Sequence, residues 1–116
     1  MRSLDLPHSS CTGILASASF LHIPKHESGV VLQEFKRVLI PDGVLLMQVK
    51  EVDSGEDERY DVDAETEARR FYARYHGGEL WNLLEENGFR VLELTTAVDT
   101  RFENRPRWLS PLATRY

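Results

Sequence analysis

His22 and His26 are the first residues whose type and spacing suggest chemistry, because two imidazoles four positions apart can hold a metal ion on one face of a helix. Pro24 stands between them and works against a continuous helix, and no third ligand is in view for a site that needs three or four. Cys11 is the only cysteine. A thiol becomes a nucleophile beside a base, and linear order shows no Cys-His or Ser-His-Asp arrangement, so Cys11 reads as a small buried hydrophobe. Lys50, Glu51, Arg59 and Tyr60 flank an acidic stretch, where charged side chains either contact a ligand or are simply solvated. Arg70, Phe71, Tyr72 and Tyr75 form an aromatic and basic cluster that suits a lid over a small molecule and equally suits plain packing. Asp5, Asp53 and Asp57 match neither an acid-base pair nor a calcium loop.

The apolar pattern marks out the elements that position these side chains. TGILAS (12–17) and VLLMQV (44–49) read as strands, and the second run is continuous rather than alternating, the pattern of a strand covered on both faces. Between them, KHESGVVLQEFKRVL puts Val31, Phe35, Val38 and Leu39 on one helical face, with Glu27 early and Lys36 and Arg37 late as the helix dipole favours. Pro41-Asp42-Gly43 ends that helix and turns the chain, giving a β-α-β unit with parallel strands and a right-handed crossover. KEVDSGEDERYDVD (50–63) reads as a solvated loop. AETEARRFYARY (64–75) predicts a short helix, since Phe71 and Tyr75 lie one turn apart. ELWNLLEEN (79–87) predicts a helix with Leu80, Leu83 and Leu84 on one face and a stop at Asn87-Gly88. FRVLELT (89–95) alternates as a strand with Phe89, Val91 and Glu93 on one side. WLSPLAT (108–114) gives a last strand, at an edge or bulge because Pro111 removes a ladder donor.

A chain of 116 residues, 41% hydrophobic and 28% charged, forms one domain (1–116) with one modest core. A net charge of −5 argues against a nucleic-acid backbone or an anionic membrane surface as the main partner, since both reward clustered Lys and Arg. The single thiol suits a reducing, cytoplasmic setting, and neither a signal peptide nor a membrane-spanning run is visible.

Three segments, taken in order, resemble the second half of class I S-adenosylmethionine-dependent methyltransferases. SASFLHIP (17–24) is similar to the family segment after the fourth strand. EFKRVLIPDGVLLMQVKE (34–51) is similar to its helix, turn and fifth strand, and ELWNLLEENGFRVLEL (79–94) to its last helix and following strand. RFYARY (70–75) fits a subgroup that acts on small substrates. The resemblance implies a truncated, Rossmann-like α/β fold: a mixed sheet with a parallel β-α-β unit, then a helix and antiparallel terminal strands. The family's glycine-rich loop and the acid that holds the ribose have no counterpart and would precede Met1. Further departures are Cys11-Thr12 where the family often has Phe-Asp, Asp42 for the first glycine of Pro-Gly-Gly, and Pro111 for an apolar strand residue.

The resemblance implies S-adenosylmethionine as cofactor, with Ala18, Ser19, Phe20 and Leu21 giving it backbone and apolar contacts. It implies His22 near the methyl-transfer site, orienting an acceptor or taking its proton, and Lys50, Arg59, Tyr60, Phe71 and Tyr72 around a small-molecule acceptor. No metal is required. Read without the resemblance, 18–21 are core at a strand end and His22 is a partly buried histidine bonded to backbone. With one wall of the pocket, the isolated chain is expected to be inactive or weakly active. The alternative is a non-catalytic, self-associating module, and a third reading is an unrelated Rossmann-like or flavodoxin-like domain. The strand Thr12–Ser17, central in the family, is expected to present an open edge to a second copy or to a separate N-terminal half.

Overall fold

The apolar run that follows Gly43 forms the spine of the structure, a computed structural model that describes residues 3–17, 19–62, 66–101 and 105–116. β1 (Cys11–Ala16) pairs in parallel with β2 (Leu39–Met47), and α1 (Lys25–Val38) connects them. β2 meets β1 at Leu39, bulges out through Pro41-Asp42-Gly43 and resumes pairing at Val44 opposite Gly13. Asp42 takes a left-handed φ of 62°, and a Cβ on Gly43 would lie 2.8 Å from the Ile40 carbonyl oxygen, so the turn depends on both residues. After Gln48 the chain continues as β3 (Val49–Glu51). β7 (Arg107–Arg115) runs antiparallel along β2 and then β3, and β6 (Phe89–Val98) lies on its other side. β5 (Arg69–Tyr75) pairs in parallel with β3 and antiparallel with β4 (Glu58–Val62).

The spine alternates sharply. Leu45, Met47 and Val49 are buried, and they join Val31, Leu32 and Phe35 of α1 and Leu80 and Leu84 of α2 (Gly77–Glu86) in one core. Each such side chain removed from water contributes about 1.5–3 kcal/mol. Two backbone N–H groups, of Ser9 and Ser10, donate to the carbonyls of Arg37 and Val38 at 2.9 and 2.8 Å, satisfying acceptors that the end of α1 leaves open. α2 starts two residues earlier than its leucines suggest. The His76 side chain accepts from the Glu79 backbone, and the Glu79 carboxylate accepts from the His76 N–H at 3.1 Å, a capping box with histidine in the usual Ser or Thr place. The helix stops at Asn87, and Gly88 takes a φ of 87°. Among the described residues no helix is long and apolar enough to cross a membrane.

Five expectations from sequence are corrected. VLLMQV has one covered face: Val44 and Leu46 remain exposed beside Leu15 of β1, which is 68% exposed. The acidic stretch is not loop throughout, because Glu58–Val62 forms β4, with Arg59 and Asp61 turned to a half-buried face. The stretch 69–75 is a strand rather than a helix. Phe71, Ala73 and Tyr75 share one face of it, so the spacing of Phe71 and Tyr75 fits two strand repeats as well as one helical turn. β7 is interior, and Pro111 is buried and paired to Leu94 of β6; on its other flank the pairs with β2 end at Leu112 and those with β3 resume at Leu109, so the proline falls in the interval. A bulge at Leu92 also resets β6, which leaves Glu93 exposed and turns Leu94 to the core.

Two glycines test the local geometry. Gly88→Ala should cost about 1–2 kcal/mol, because a side chain is forced into the left-handed region. Gly78→Ala, where an added Cβ meets nothing within 4 Å in the first turn of α2, should stabilise by up to about 1 kcal/mol. Urea unfolding of the two variants measures both.

Candidate functional site

The sheet forks at the C-terminal end of β1. β5 pairs with β3 only through Arg74 and Tyr75, and its preceding residues lie against one 3₁₀ turn, Phe20–His22. Phe20 and Leu21 anchor that turn in the core, where the Phe20 ring stacks 6.1 Å from that of Tyr75. His22 is thereby held at the fork. Its Nδ1 lies 2.7 Å from the Phe71 carbonyl oxygen, and a carbonyl only accepts, so Nδ1 carries the proton and Nε2 keeps its lone pair in the neutral ring. The Tyr72 ring sits 4.7 Å from the imidazole, and the Lys50 ammonium lies 3.9 Å from the centre of that same ring.

Lys50 belongs to a charge cluster that spans three strands. The Asp61 carboxylate accepts from Arg74 Nη2 and lies 3.4 Å from Lys50 Nζ and 3.4 Å from Arg59 Nε. Asp53 takes both Arg59 guanidinium nitrogens, at 2.9 and 2.6 Å, and lies 3.5 Å from Arg74 Nε. Burial alone would raise the Asp61 pKa; the hydrogen bond and charge of Arg74, with Lys50 and Arg59, outweigh it and hold the carboxyl below its usual range. The hydrogen bond from Arg59 likewise holds the Asp53 carboxyl well below its usual range. Burial pulls the Lys50 pKa down, with Arg74 and Arg59 adding to the effect and Asp61 opposing it. Beside the cluster lies a cleft of about 330 Å³ bordered by Lys50, Ser54, Arg74 and Arg107.

The fork thus brings together His22, Tyr72 and Lys50, and Arg59 joins them through Asp61. Tyr60 and Phe71 fall on the opposite face of β4 and β5, packed edge to face at 5.6 Å, with Arg69 over Tyr60. Ser19 is half-buried, and the Phe20 and Leu21 side chains point into the core, which leaves their backbone as the surface they can offer a ligand. Ala18 lies outside the described residues. His26 is an exposed residue of α1, separate from His22 in its turn, and among the described residues no three His, Cys, Asp or Glu side chains gather as a metal site. Cys11 packs partly buried against the core. Sequence inspection misses Arg74, Asp61 and Trp108, whose ring lies 5.8 Å from Lys50 Nζ, and sets Asp53 aside as solvated. The alternation of Arg59 and Asp61 was the one local sign of a charged strand face.

No protein-family model matches the chain, and no curated protein matches it. Solved structures match in fold. A S-adenosylmethionine-dependent methyltransferase from Methanosarcina mazei superposes with a TM-score of 0.82 at 19% identity, over 98% of this chain and 63% of its own. The 1,6-didemethyltoxoflavin-N1-methyltransferase of Burkholderia thailandensis, solved with 1,6-didemethyltoxoflavin and S-adenosylhomocysteine bound, gives 0.77 at 23% identity over 98% and 47%. SpnF, a (4+2)-cyclase, gives 0.71 at 15% identity over 98% and 53%. The chain therefore has a class I methyltransferase-like fold and spans between about half and two thirds of the length of these structures. One fold carrying both methyl transfer and a cyclisation shows that the site, not the fold, decides the chemistry.

Removing the central carboxylate tests the cluster. Asp61→Asn should cost about 2–4 kcal/mol, somewhat less than the ~3–5 kcal/mol of a fully buried broken pair because Asp61 is partly exposed and Asp53 remains beside Arg74. A depressed carboxyl stabilises the native state above its unfolded pKa of about 4 and loses that contribution as pH falls through the folded value, so the acid limb of stability against pH should flatten in the variant. Urea titrations from neutral pH down to pH ~2 give both quantities.

Proposed function

We propose that this chain supplies the acceptor-facing wall of a site for methyl transfer from S-adenosylmethionine to a small molecule, and that by itself it is inactive or weakly active. The observation that carries the proposal is His22 at the C-terminal end of β1, its Nδ1 committed to the Phe71 carbonyl and its Nε2 left as an acceptor beside Tyr72 and Lys50. In open α/β sheets ligands gather at the carboxyl ends of the strands, and that is where this constellation lies.

The chain's residues fit one side of a cofactor. The backbone around Ser17 and Ser19 follows β1 with little side-chain bulk, and along the outer flank of β1 no strand pairs among the described residues. When bound, S-adenosylmethionine supplies a methyl group on a sulfonium, already activated for displacement. The remaining tasks fall to the protein: hold the acceptor in line, exclude water and take up the proton that the nucleophile releases. Tyr72 offers an aromatic face to the acceptor, Lys50 fixes its orientation by charge, and His22 Nε2 receives the proton. Cofactor contacts beyond this wall come from across the β1 edge.

A second reading is favoured by that same edge. CTGILA carries no charge and no proline, and Leu15, Val44 and Leu46 form an exposed apolar strip beside it, which is a template for pairing with a second copy. On that reading the chain is a self-associating module without catalysis.

Amide chemical shifts recorded while S-adenosylhomocysteine is added separate the two. The methyl-transfer reading expects weak, millimolar binding with shifts at 17–23 and 48–52. No shifts, together with a dimer by light scattering that Leu15→Lys converts to monomer, would leave the module. If S-adenosylhomocysteine does bind, His22→Asn, which keeps a donor for the Phe71 carbonyl and loses Nε2, should leave its affinity and the fold intact while abolishing any methyl transfer.

A further inference from the structure

The charge cluster on β3, β4 and β5 does not balance. Lys50, Arg59 and Arg74 face two carboxylates, Asp53 and Asp61, on a chain whose overall charge is negative. Arg74 is the innermost member at 4% exposed. Asp61 takes its Nη2 and Asp53 lies near its Nε, while Nη1 is shielded from water and has no hydrogen-bond partner among the described residues. A buried donor without an acceptor costs about 1–3 kcal/mol, more on a charged group, so Nη1 is open to an acceptor from outside these side chains.

The cleft of about 330 Å³ is bordered by Arg74 and Lys50 from the cluster and by Arg105 and Arg107 at the start of β7. Of its two acids, Asp53 is held by the paired nitrogens of Arg59, and Glu51 Oε2 lies 3.0 Å from Arg107 Nε as an ion pair without a hydrogen bond, so the lining carries four cationic side chains against two carboxylates. A cavity of this size sits at the small end of ligand sites and admits a compact molecule. Guanidinium and ammonium groups converging on such a space match the geometry of an oxyanion, which two guanidinium N–H groups can grip side by side.

We propose that this cleft binds a small oxyanion, a carboxylate or a phosphate carried by the molecule that accepts the methyl group. The proposal rests on the methyl-transfer reading only for that last clause. Lys50 connects the two places: its ammonium borders the cleft and lies over the Tyr72 ring, which also neighbours His22 and Arg74. An acceptor anchored by its anionic end at Lys50 and Arg74 therefore extends its remaining atoms along Tyr72 towards His22 Nε2. The class of substrate is then a small acid or phosphate ester with a nucleophile at the far end, and not a neutral or cationic amine.

Sodium phosphate and sodium benzoate, each titrated against sodium chloride at matched ionic strength, test this by NMR. The Trp108 indole N–H, identified by its loss in Trp108→Phe, and the backbone amides of 50–54 and 74 are the reporters. Saturable shifts with one or both oxyanions and none with chloride are expected, and the one that saturates first identifies the anion class. Lys50→Gln and, separately, the exposed-side variant Arg107→Gln should each weaken binding by about tenfold, the scale of one charge-assisted contact, while Arg90→Gln on β6 leaves it unchanged. Linear shifts shared with chloride, or saturation unaffected by both variants, would overturn the proposal. Neither probe contains adenosine, so this outcome is independent of the S-adenosylhomocysteine titration, and either reading can fail alone.

Discussion

Everything in this fold leans on one extended strand, β2 continued as β3, whose inward side chains Leu45, Met47 and Val49 are sealed by α1, α2 and β7. With a period of two along a strand, fixing these three in the core fixes the direction of every neighbour in between. It places Val44 and Leu46 outward beside Leu15, and it places Lys50 outward beside Trp108 and Arg74. A one-residue slip would bury the lysine and expose the core. The Pro41-Asp42-Gly43 bulge is what allows α1 to end at Val38 and the strand still to start in this register.

The fork follows from that constraint. β1 and β5 share one flank of the long strand, β1 along β2 and β5 along β3, and they cannot overlap. β5 therefore departs where β1 ends, and the gap is filled by the turn that carries Phe20, Leu21 and His22. Two buried apolar side chains make that turn rigid, which is why an imidazole on so short an element can hold a defined hydrogen bond to a distant backbone carbonyl. Precision here comes from packing below the site rather than from contacts within it.

The β-α-β unit, α2 and β6 were legible because their signals are local: an amphipathic stripe, a charge gradient, an Asn-Gly stop. The end of the sheet that builds the site was not. Glu58–Val62 has the composition of a solvated loop, and it becomes a strand because Arg59 and Asp61 find Asp53, Lys50 and Arg74, partners between 6 and 13 positions away. Arg70 to Tyr75 carries aromatic spacing compatible with either secondary structure, and pairing with β3 and β4 decides between them. The position of Pro111 shows the same limit from the other side: a local rule favours the edge, and a buried proline is tolerated because both ladders can step around it. His22 could be singled out by its place after the first strand, but neither its tautomer nor its neighbours could.

One face of the sheet carries two unfinished surfaces, and the strand that joins them makes them interdependent. Leu15, Val44 and Leu46 sit in water although the run they belong to is apolar at both phases, as a strand covered on both sides would be. Lys50 lies on the same face four residues beyond Leu46, about 13 Å along an extended chain, where positive charge exceeds negative. A chain that covered the apolar strip would also border the fork, remove water from around His22, Tyr72 and Lys50, and strengthen the charge interactions there by lowering the local dielectric. Burial of the strip and binding at the cluster therefore favour each other, and the inward anchoring of Leu45, Met47 and Val49 is what keeps the two surfaces in fixed relation.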